Sequence, residues 1–274
     1  MGSRIKLLPT NNLVASGLAT IDLSNLLGYA VERIVLNLGG TTFTKSMITG
    51  IQLKANGKII YDTTGPNIDA RQQYRGITAN ANFLTIDFLE IRSKTELGMG
   101  LGMLDTTVGI NNLKLEITVA GATAPTLQGY AEVNRPQVDP AQAPTRNLIA
   151  KIHKSTVTIG ASGQYSLPVP HLMPQDGGSI FKRVAIFSAN ATAVQIKKNG
   201  IVIEDSIKAL NDYQANEYGH TAQPGLYMVD FIIDNCQSQC LNTRDAQTME
   251  FLLTLSAGET ITVESELLEP LGAF

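Results

Sequence analysis

The sequence predicts an all-β protein made of two tandem eight-stranded jelly rolls, a double jelly roll, with one short helix in each. Three observations support this prediction: the chain contains a second version of itself, short runs alternate between apolar and polar residues, and Asn-Gly pairs separate neighbouring runs. A chain of 274 residues is also longer than one ordinary core requires, and it suits two domains of about 130 residues.

The internal repeat is the most direct of these observations. Ala15–Gly17 recurs as Ala161–Gly163, and Ile51–Gly57 recurs as Val194–Gly200. From residue 51 to residue 76, a shift of 143 positions produces eight identities in 26 pairs without a gap. Composition alone would produce roughly one or two. The two halves of the chain are therefore predicted to share one fold.

The repeat also predicts the domain organisation. Residues 1–135 are expected to form an N-terminal jelly roll, and residues 147–274 a C-terminal one. Between them, residues 136–146 are expected to form an extended linker. Three prolines within nine residues exclude a helix or a central strand there.

Strands are predicted wherever apolar and polar residues alternate. The pattern is clear over Val31–Leu38, over Leu113–Val119 and over Ile261–Glu264. A period of two over this length indicates strands with one buried face. We count about eight such candidates in each repeat, which fits a jelly roll. An immunoglobulin-like sandwich is the alternative, but its Cys…Trp…Cys core is absent because the chain has no Trp.

Two hairpin turns are predicted at equivalent places. Asn56 and Gly57 lie between apolar runs in the first repeat, and Asn199 and Gly200 do so in the second. Both central positions of a two-residue hairpin turn need a positive φ, which Asn and Gly adopt readily.

One helix is predicted directly after each hairpin. In the second repeat, Ser206 is expected to cap a helix from Ile207 to Tyr218, with Gly219 ending it in a left-handed conformation. In the first repeat, Pro66 occupies the predicted first helical position and Gly76 the stop.

Composition narrows the class of protein. Charged residues are 16% of the chain, against about 25% in an average soluble domain. So little charge indicates surface that is covered in the working state, as in an obligate assembly. The net charge of −3 argues against direct nucleic-acid binding. No membrane-spanning apolar run and no signal peptide are recognised, so synthesis in a cytoplasm is expected.

No catalytic, cofactor-binding or metal-ligating set is predicted. The three histidines, His153, His171 and His220, have no neighbour at metal-ligand spacing, which disfavours a two-barrel cupin-like metalloenzyme. Cys236 and Cys240 are interpreted as reduced thiols in a loop. The glycine-rich segment 98–102 lacks the Lys of a phosphate-binding loop, and we interpret it as a flexible or closely packed loop.

Four charged residues are candidates for a structural role. Asp87 and Asp230 occupy equivalent places in two apolar strands, and Arg33 and Arg183 are equivalent as well. One interpretation is a repeated Arg–Asp cross-strand pair that fixes strand register. The other is that each charge faces solvent on the polar side of its strand.

The last strand candidate carries Glu264, Glu266 and Glu269. Carboxylates grouped at a subunit seam could hold Ca²⁺ through several oxygens. The alternative is a solvated sheet edge, where charge discourages unwanted strand pairing.

The order and spacing of several segments resemble the major coat protein of corticoviruses, the tailless bacteriophages with an internal membrane. The similarity is carried by Val194–Gly200, Ala209–Gly219, Tyr227–Ile233 and Thr260–Glu264 and, in the first repeat, by Asn56, Gly57 and Tyr74–Gly76. It covers about residues 190–267 best. Like the rest of the chain, these segments contain no catalytic or metal-ligand motif to carry over.

The resemblance implies a major capsid protein. Homotrimers with six jelly rolls would form pseudo-hexagonal capsomers of an icosahedral shell around an internal lipid membrane. It further implies neighbouring capsomers, a penton or vertex protein and membrane proteins as partners, and assembly into virions made in a bacterial host. Arg4 and Lys6 could contact anionic lipid heads, although two charges supply little affinity. A cupin-like metalloenzyme and a carbohydrate- or receptor-binding β-sandwich protein are the alternatives.

Overall fold

A computed structural model describes residues 2–107, 109–134, 148–172 and 176–270. The predicted linker, 136–146, lies outside the described residues. Within them, the chain forms eighteen strands and three short α-helices. No helix in the described part is long and apolar enough to cross a membrane.

The first repeat contains nine strands and two helices. They are β1 (Ser3–Lys6), β2 (Gly17–Asp22), β3 (Ala30–Thr42), β4 (Ile48–Ala55), β5 (Lys58–Thr63), α1 (Gly65–Tyr74), β6 (Phe83–Asp87), α2 (Glu96–Met99), β7 (Leu104–Asp105), β8 (Leu113–Val119) and β9 (Thr123–Asn134).

The second repeat contains nine strands and one helix. They are β10 (Leu148–Ile159), β11 (Gly163–Ser166), β12 (Ile180–Phe187), β13 (Ala191–Lys198), β14 (Ile201–Ile207), α3 (Lys208–Glu217), β15 (Leu226–Asp230), β16 (Leu241–Asn242), β17 (Met249–Leu255) and β18 (Glu259–Pro270).

Strand order is the same in the two repeats. The first pairs β1-β9-β3-β6 in one sheet and β2-β8-β4-β5 in the other. The second pairs β10-β18-β12-β15 and β11-β17-β13-β14 in the corresponding places. Two four-stranded sheets with this crossing order form a jelly roll, so the predicted double jelly roll is confirmed. The extra strands β7 and β16 pair with β3 and β12.

The two repeats are also joined by strand pairing. Tyr61 of β5 and Ile152 of β10 form a parallel bridge, so the sheets of the two jelly rolls that contain β5 and β10 become one nine-stranded sheet. The other pairs between named strands are antiparallel.

Alternating patterns place one core inside each sandwich. Along β8, Leu113, Leu115, Ile117 and Val119 are buried while the residues between them are not. Along β17, Phe251, Leu253 and Leu255 behave in the same way. Burial of one face in this manner, at about 25 cal/mol per Å² of apolar area, is the main driving force for each jelly roll.

Both Asn-Gly pairs form the turns of hairpins, β4–β5 and β13–β14. Asn56 and Gly57 have φ of 50° and 81°, and Asn199 and Gly200 have φ of 54° and 76°. Each asparagine also reaches a distant loop. Asn199 accepts the backbone N–H groups of Gln247 and Thr248, and Asn56 accepts those of Asn111 and Asn112. The side chain thereby holds the segment that precedes β17 or β8.

Asn199→Ala is expected to destabilise the fold by about 2 kcal/mol, because alanine disfavours positive φ and cannot make these hydrogen bonds. Gly200→Ala is the matched control. Nothing lies within 4 Å of a Cβ at Gly200, so only the strained φ of +76° should contribute, about 1 kcal/mol. Urea unfolding of the two variants measures the difference. Equal losses would show that the side-chain bonds of Asn199 contribute nothing.

Helices α1 and α3 differ at their first residues. Thr64 caps α1 by accepting the N–H of Asn67 at 3.3 Å, and Pro66 is the second residue of the helix. The predicted Ser206 cap of α3 is wrong, because the helix begins at Lys208 with Ile207 in the cap position. Ser206 still pairs within β14, and its hydroxyl donates to the Ile207 carbonyl oxygen. Gly76 and Gly219 follow their helices with φ of 72° and 80°.

Candidate functional site

The site with the most unusual chemistry lies between the two jelly rolls, where helix α1 covers the outer face of the β12–β15–β18 region. An apolar part of this junction joins Tyr74 of α1 to Ala185, Leu226 and Met228 of the second repeat. The Tyr74 ring also stacks on His220, with 4.9 Å between centroids and 4° between planes. Contacts of this kind dock one jelly roll on the other.

A buried ion network adjoins this apolar cluster, and Arg183 lies at its centre. Its Nη1 is 2.7 Å from Glu90 Oε2, and its Nε is 2.9 Å from Asp230 Oδ2. A third carboxylate, that of Glu266, lies 3.4 Å from Nη1. Lys182 bridges the same carboxylates, with Nζ 3.2 Å from Glu90 and 2.8 Å from Glu266. Carboxylates from both repeats are thus held by adjacent cations of β12.

Helix α1 and the residue that follows it, Arg75, extend the network from the other side. Arg75 Nη2 lies 2.6 Å from Asp87 Oδ2, and its Nη1 lies 3.7 Å from Glu90. One turn earlier, Arg71 Nε lies 3.1 Å from Glu264 Oε2.

Glu264 is further satisfied by hydroxyl and amide donors of the first repeat. Thr63 Oγ1 and Asn67 Nδ2 both donate to its Oε1 at 2.7 Å. We call the whole set the junction network: Arg71, Arg75, Asp87 and Glu90 from the first repeat, and Lys182, Arg183, Asp230, Glu264 and Glu266 from the second.

Burial makes this network energetically demanding. Charges taken out of water cost several kcal/mol each unless partners compensate them. Desolvation opposes ionisation of Glu90, but the attraction of Arg183, Lys182 and Arg75 outweighs it and holds the Glu90 pKa well below its ordinary value. The same balance, with Lys182 and Arg183 as partners, lowers the pKa of Glu266 to about 2. The carboxylates therefore stay ionised inside the protein.

Acid is expected to weaken the junction. Glu90 and Glu266 have lower pKa values in the folded state than their ordinary value of 4.5, so the unfolded state binds more protons. Their contribution to stability is complete above about pH 4.5 and is lost as the pH falls toward about 2. Urea unfolding measured across this window should show a falling free energy, and Glu266→Gln should make the fall shallower. Equal slopes for the two proteins would contradict the assignment.

The four predicted charged residues have unequal surroundings. Arg33 lies opposite Asp87 in register, and Arg183 lies opposite Asp230. Arg183 and Asp230 form an ion pair with side chains only 2% and 1% exposed, so neither faces solvent. In the first repeat, Arg33 instead binds Glu132 at 2.5 Å, and Asp87 binds Arg75. The two repeats differ because Arg75, the residue after α1, pairs with Asp87 in the first repeat.

The predicted solvated edge at Glu264, Glu266 and Glu269 is wrong. Strand β18 lies between β10 and β12, in the interior of the nine-stranded sheet. Glu269 is fully buried beside Lys151 Nζ at 3.6 Å and accepts a hydrogen bond from Ser179. The carboxylates of Glu264, Glu266 and Glu269 already bind donors of the same chain. Ca²⁺ at a subunit seam stays a prediction.

Other candidates have structural surroundings. His220 is buried in the loop after α3, and its Nε2 lies 2.8 Å from the Ile233 carbonyl oxygen. Both cysteines are free, and burial raises the pKa of Cys240 to about 11. Gly102 is closely packed, since a Cβ there would meet Leu268. In the described ranges, no three His, Cys, Asp or Glu residues are arranged to hold a metal ion.

The sequence analysis missed Glu90, Lys182, Arg71 of α1 and Arg75 directly after it. Lys182 carried one available signal, because it stands beside Arg183 in an otherwise apolar strand. Two adjacent charged residues in an otherwise apolar strand indicate that both faces of the strand are buried or that the charges form ion pairs. Glu90 carried no such signal, since it lies in a loop without periodicity.

Two jelly rolls of one strand order in a single chain form a double jelly roll, and jelly rolls occur in viral capsid proteins, lectin domains and cupins. The family described as viral coat protein P2 matches the chain twice, its N-terminal domain over residues 4–134 and its C-terminal domain over residues 149–271. The chain belongs to the viral coat protein P2 family.

Solved structures share the fold. The major capsid protein P2 from bacteriophage PM2 has a TM-score of 0.84 at 18% identity, with 99% of this chain and 98% of that chain covered. The STIV MCP has a TM-score of 0.73 at 14% identity, covering 98% and 96%. The capsid of PBCV-1 virus has 0.63 at 14%, covering 97% and 92%. No curated protein matches the sequence.

The protein is therefore a major capsid protein located in the virion, and it is a structural protein, not an enzyme. This sets aside the cupin-like metalloenzyme. It also sets aside the carbohydrate-binding alternative as the main activity.

Proposed function

We propose that three copies of this chain form a homotrimeric, pseudo-hexagonal capsomer that builds an icosahedral shell around an internal lipid membrane. One observation carries the proposal: the chain presents the same strand order twice, as β1-β9-β3-β6 and as β10-β18-β12-β15. Two similar units per chain, repeated around a threefold axis, produce six near-equivalent corners. A six-cornered block tiles a shell with its own copies.

The junction network supports the same proposal. A corner of the capsomer must keep a constant position relative to the next, and buried charges specify one docking geometry when each is paired. Further partners are neighbouring capsomers, a penton or vertex protein and the proteins of the membrane. The chain, made in the cytoplasm of a bacterial host, does not need to bind the genome directly, given its net charge of −3.

Light scattering and electron microscopy of the purified protein test the capsomer. We expect a mass three times the 29.4 kDa of the chain and pseudo-hexagonal particles in class averages. A mass that stays at one chain at all concentrations would contradict the trimer. The membrane is tested separately on source particles, where chloroform treatment should remove lipid and collapse the shell interior.

A further inference from the structure

The outer faces of two equivalent sheets are buried to different extents. In the second repeat, Arg183, Ala185 and Met228 on the outer face of β10-β18-β12-β15 are at most 2% exposed, and Tyr74 of α1 and Ala215 of α3 pack on this face. In the first repeat, the outer face of β1-β9-β3-β6 is more open. Arg33 keeps 29% of its side chain exposed, and Phe83 is 42% exposed. One face is covered, whereas on its counterpart the α1 segment reaches β6, through Gln72 and Arg75, and leaves Arg33 and Phe83 partly exposed.

Strand register defines which residues are equivalent. Arg33 lies opposite Asp87 and Glu132, just as Arg183 lies opposite Asp230 and Glu266. Register shifts also occur at the same place, after Val31 in β3 and after Phe181 in β12. From these positions, the register of each pair of neighbouring strands relates the remaining residues of the first repeat to those of the second.

The covering element is also present twice, but its second version, α3, packs on its own repeat, through Ala215 against Leu226 and Met228. Helix α1 buries Ile68, Arg71, Gln72 and Tyr74, whereas α3 buries Ala215 alone. Large apolar side chains stay exposed on β14, on α3 and just beyond: Ile201, Val202, Ile203, Ile207, Leu210, Tyr213 and Tyr218, between 40% and 70%. We call this surface the β14–α3 face. An exposed apolar surface of this kind marks an interaction site.

The β14–α3 face and the outer face of β1-β9-β3-β6 carry apolar residues at corresponding positions. Inside the chain, Asn67 of α1 donates to Glu264 of β18. The equivalent positions hold Leu210 on α3 and Tyr130 on β9. A polar pair inside the chain therefore corresponds to an apolar pair on these two surfaces.

The opposite exchange occurs at the strand edge. Inside the chain, Tyr61 of β5 bridges Ile152 of β10. Register makes Glu204 of β14 the equivalent of Tyr61, and Arg4 of β1 the equivalent of Ile152. An apolar pair is replaced by an anion and a cation. Glu204 makes no ion pair among the described residues, and burial together with Asp205 raises its pKa. Arg4 pairs with Glu132 of its own chain at 2.7 Å and still keeps 70% of its side chain exposed.

We propose that the β14–α3 face of one copy docks on the outer face of β1-β9-β3-β6 of the next copy. Glu204 then lies opposite Arg4, and Leu210 packs against Tyr130. The proposal rests on the proposed trimer and specifies its contact surfaces. Because the two surfaces differ, the contact is heterologous, and three such contacts close a ring.

A disulfide across the proposed contact tests it. Arg4→Cys and Glu204→Cys would be combined with Cys236→Ser and Cys240→Ser, which remove the native thiols. Residues bridged across adjacent strands have Cα separations that a disulfide can span, about 4.4–6.8 Å. Mild oxidation of the assembled protein should then produce a covalent trimer on a non-reducing gel. Neither single-cysteine variant should produce it.

The outcomes separate this proposal from the trimer itself. If light scattering shows a trimer but oxidation leaves only single chains, the docking surfaces are wrong and the trimer stands. If the unmodified protein forms no trimer, the proposed function fails first.

A second variant tests the apolar part of the contact without cysteine chemistry. Leu210→Asp should raise the concentration at which the trimer half-dissociates by about tenfold or more. Leu18→Asp is the matched control, since Leu18 is 49% exposed on β2, outside both surfaces. Neither change should alter the far-ultraviolet circular dichroism of the chain. Equal effects on dissociation from the two variants would overturn the assignment of the β14–α3 face.

Discussion

Arg183→Leu is expected to lower the free energy of unfolding by about 3–5 kcal/mol. The side chain is 2% exposed and lies within 3.4 Å of three carboxylates, those of Glu90, Asp230 and Glu266. Leucine would leave Glu90 buried with Lys182 and Arg75 and Glu266 with Lys182, and it would remove the ion-pair partner of Asp230. Urea unfolding at neutral pH, followed by circular dichroism, measures the loss.

Arg33→Leu is the matched control, because Arg33 occupies the equivalent position in the first repeat. Its side chain is 29% exposed and binds one carboxylate, that of Glu132. Partly exposed ion pairs contribute about 1 kcal/mol or less. If the two substitutions lower the free energy of unfolding equally, the burial of the junction network does not determine its contribution to stability. A loss below about 1 kcal/mol for Arg183→Leu would contradict the prediction outright.

Tyr74→Ala is expected to be the second most damaging change, at about 3 kcal/mol. The ring is 2% exposed, stacks on His220 and packs on Leu226 and Met228, so its removal leaves a cavity between the jelly rolls. Because the cavity lies at the junction, α1 should also lose protection. Hydrogen exchange of the α1 amides should accelerate more than exchange in β8, which lies in the first core.

Tyr213→Ala provides the comparison for Tyr74→Ala. Tyr213 is 59% exposed on α3 and donates a hydrogen bond to Glu217 on the same helix. Its removal should change the unfolding free energy of the single chain by less than about 0.5 kcal/mol. Should Tyr213→Ala destabilise the chain as much as Tyr74→Ala, stacking at the junction would not be the cause.

The parts of the fold that depend on local pattern could be predicted from the sequence. Alternation over Leu113–Val119 defines a strand with one buried face, and Asn56 and Asn199 followed by glycine define the hairpin turns. The repeat relates one half to the other. These signals are local or internal to the chain, so no knowledge of packing was needed.

The parts that depend on contacts between the repeats could not be predicted. Glu264 and Glu266 have the pattern of charges on an exposed strand, but the docking of α1 brings Arg71 to Glu264, and the neighbouring strand β12 provides Lys182 for Glu266. Local pattern distinguishes one face of a strand from the other. It does not show that a second domain will cover the polar face as well. For the same reason Ser206 looked like a helix cap, although β14 extends through it.

Covalent continuity between the two jelly rolls has a consequence for their chemistry. Domains of one chain meet at a high effective concentration, so the junction forms without the loss of translational freedom that separate molecules incur. A tethered seam can therefore tolerate costly desolvation of many charges and gain orientation in return. Contacts between separate chains lack this advantage, which is a physical reason for the more apolar exposed surface on β14 and α3. One strand order used twice can therefore serve a permanent joint inside the chain and, in the proposed trimer, a reversible contact between chains.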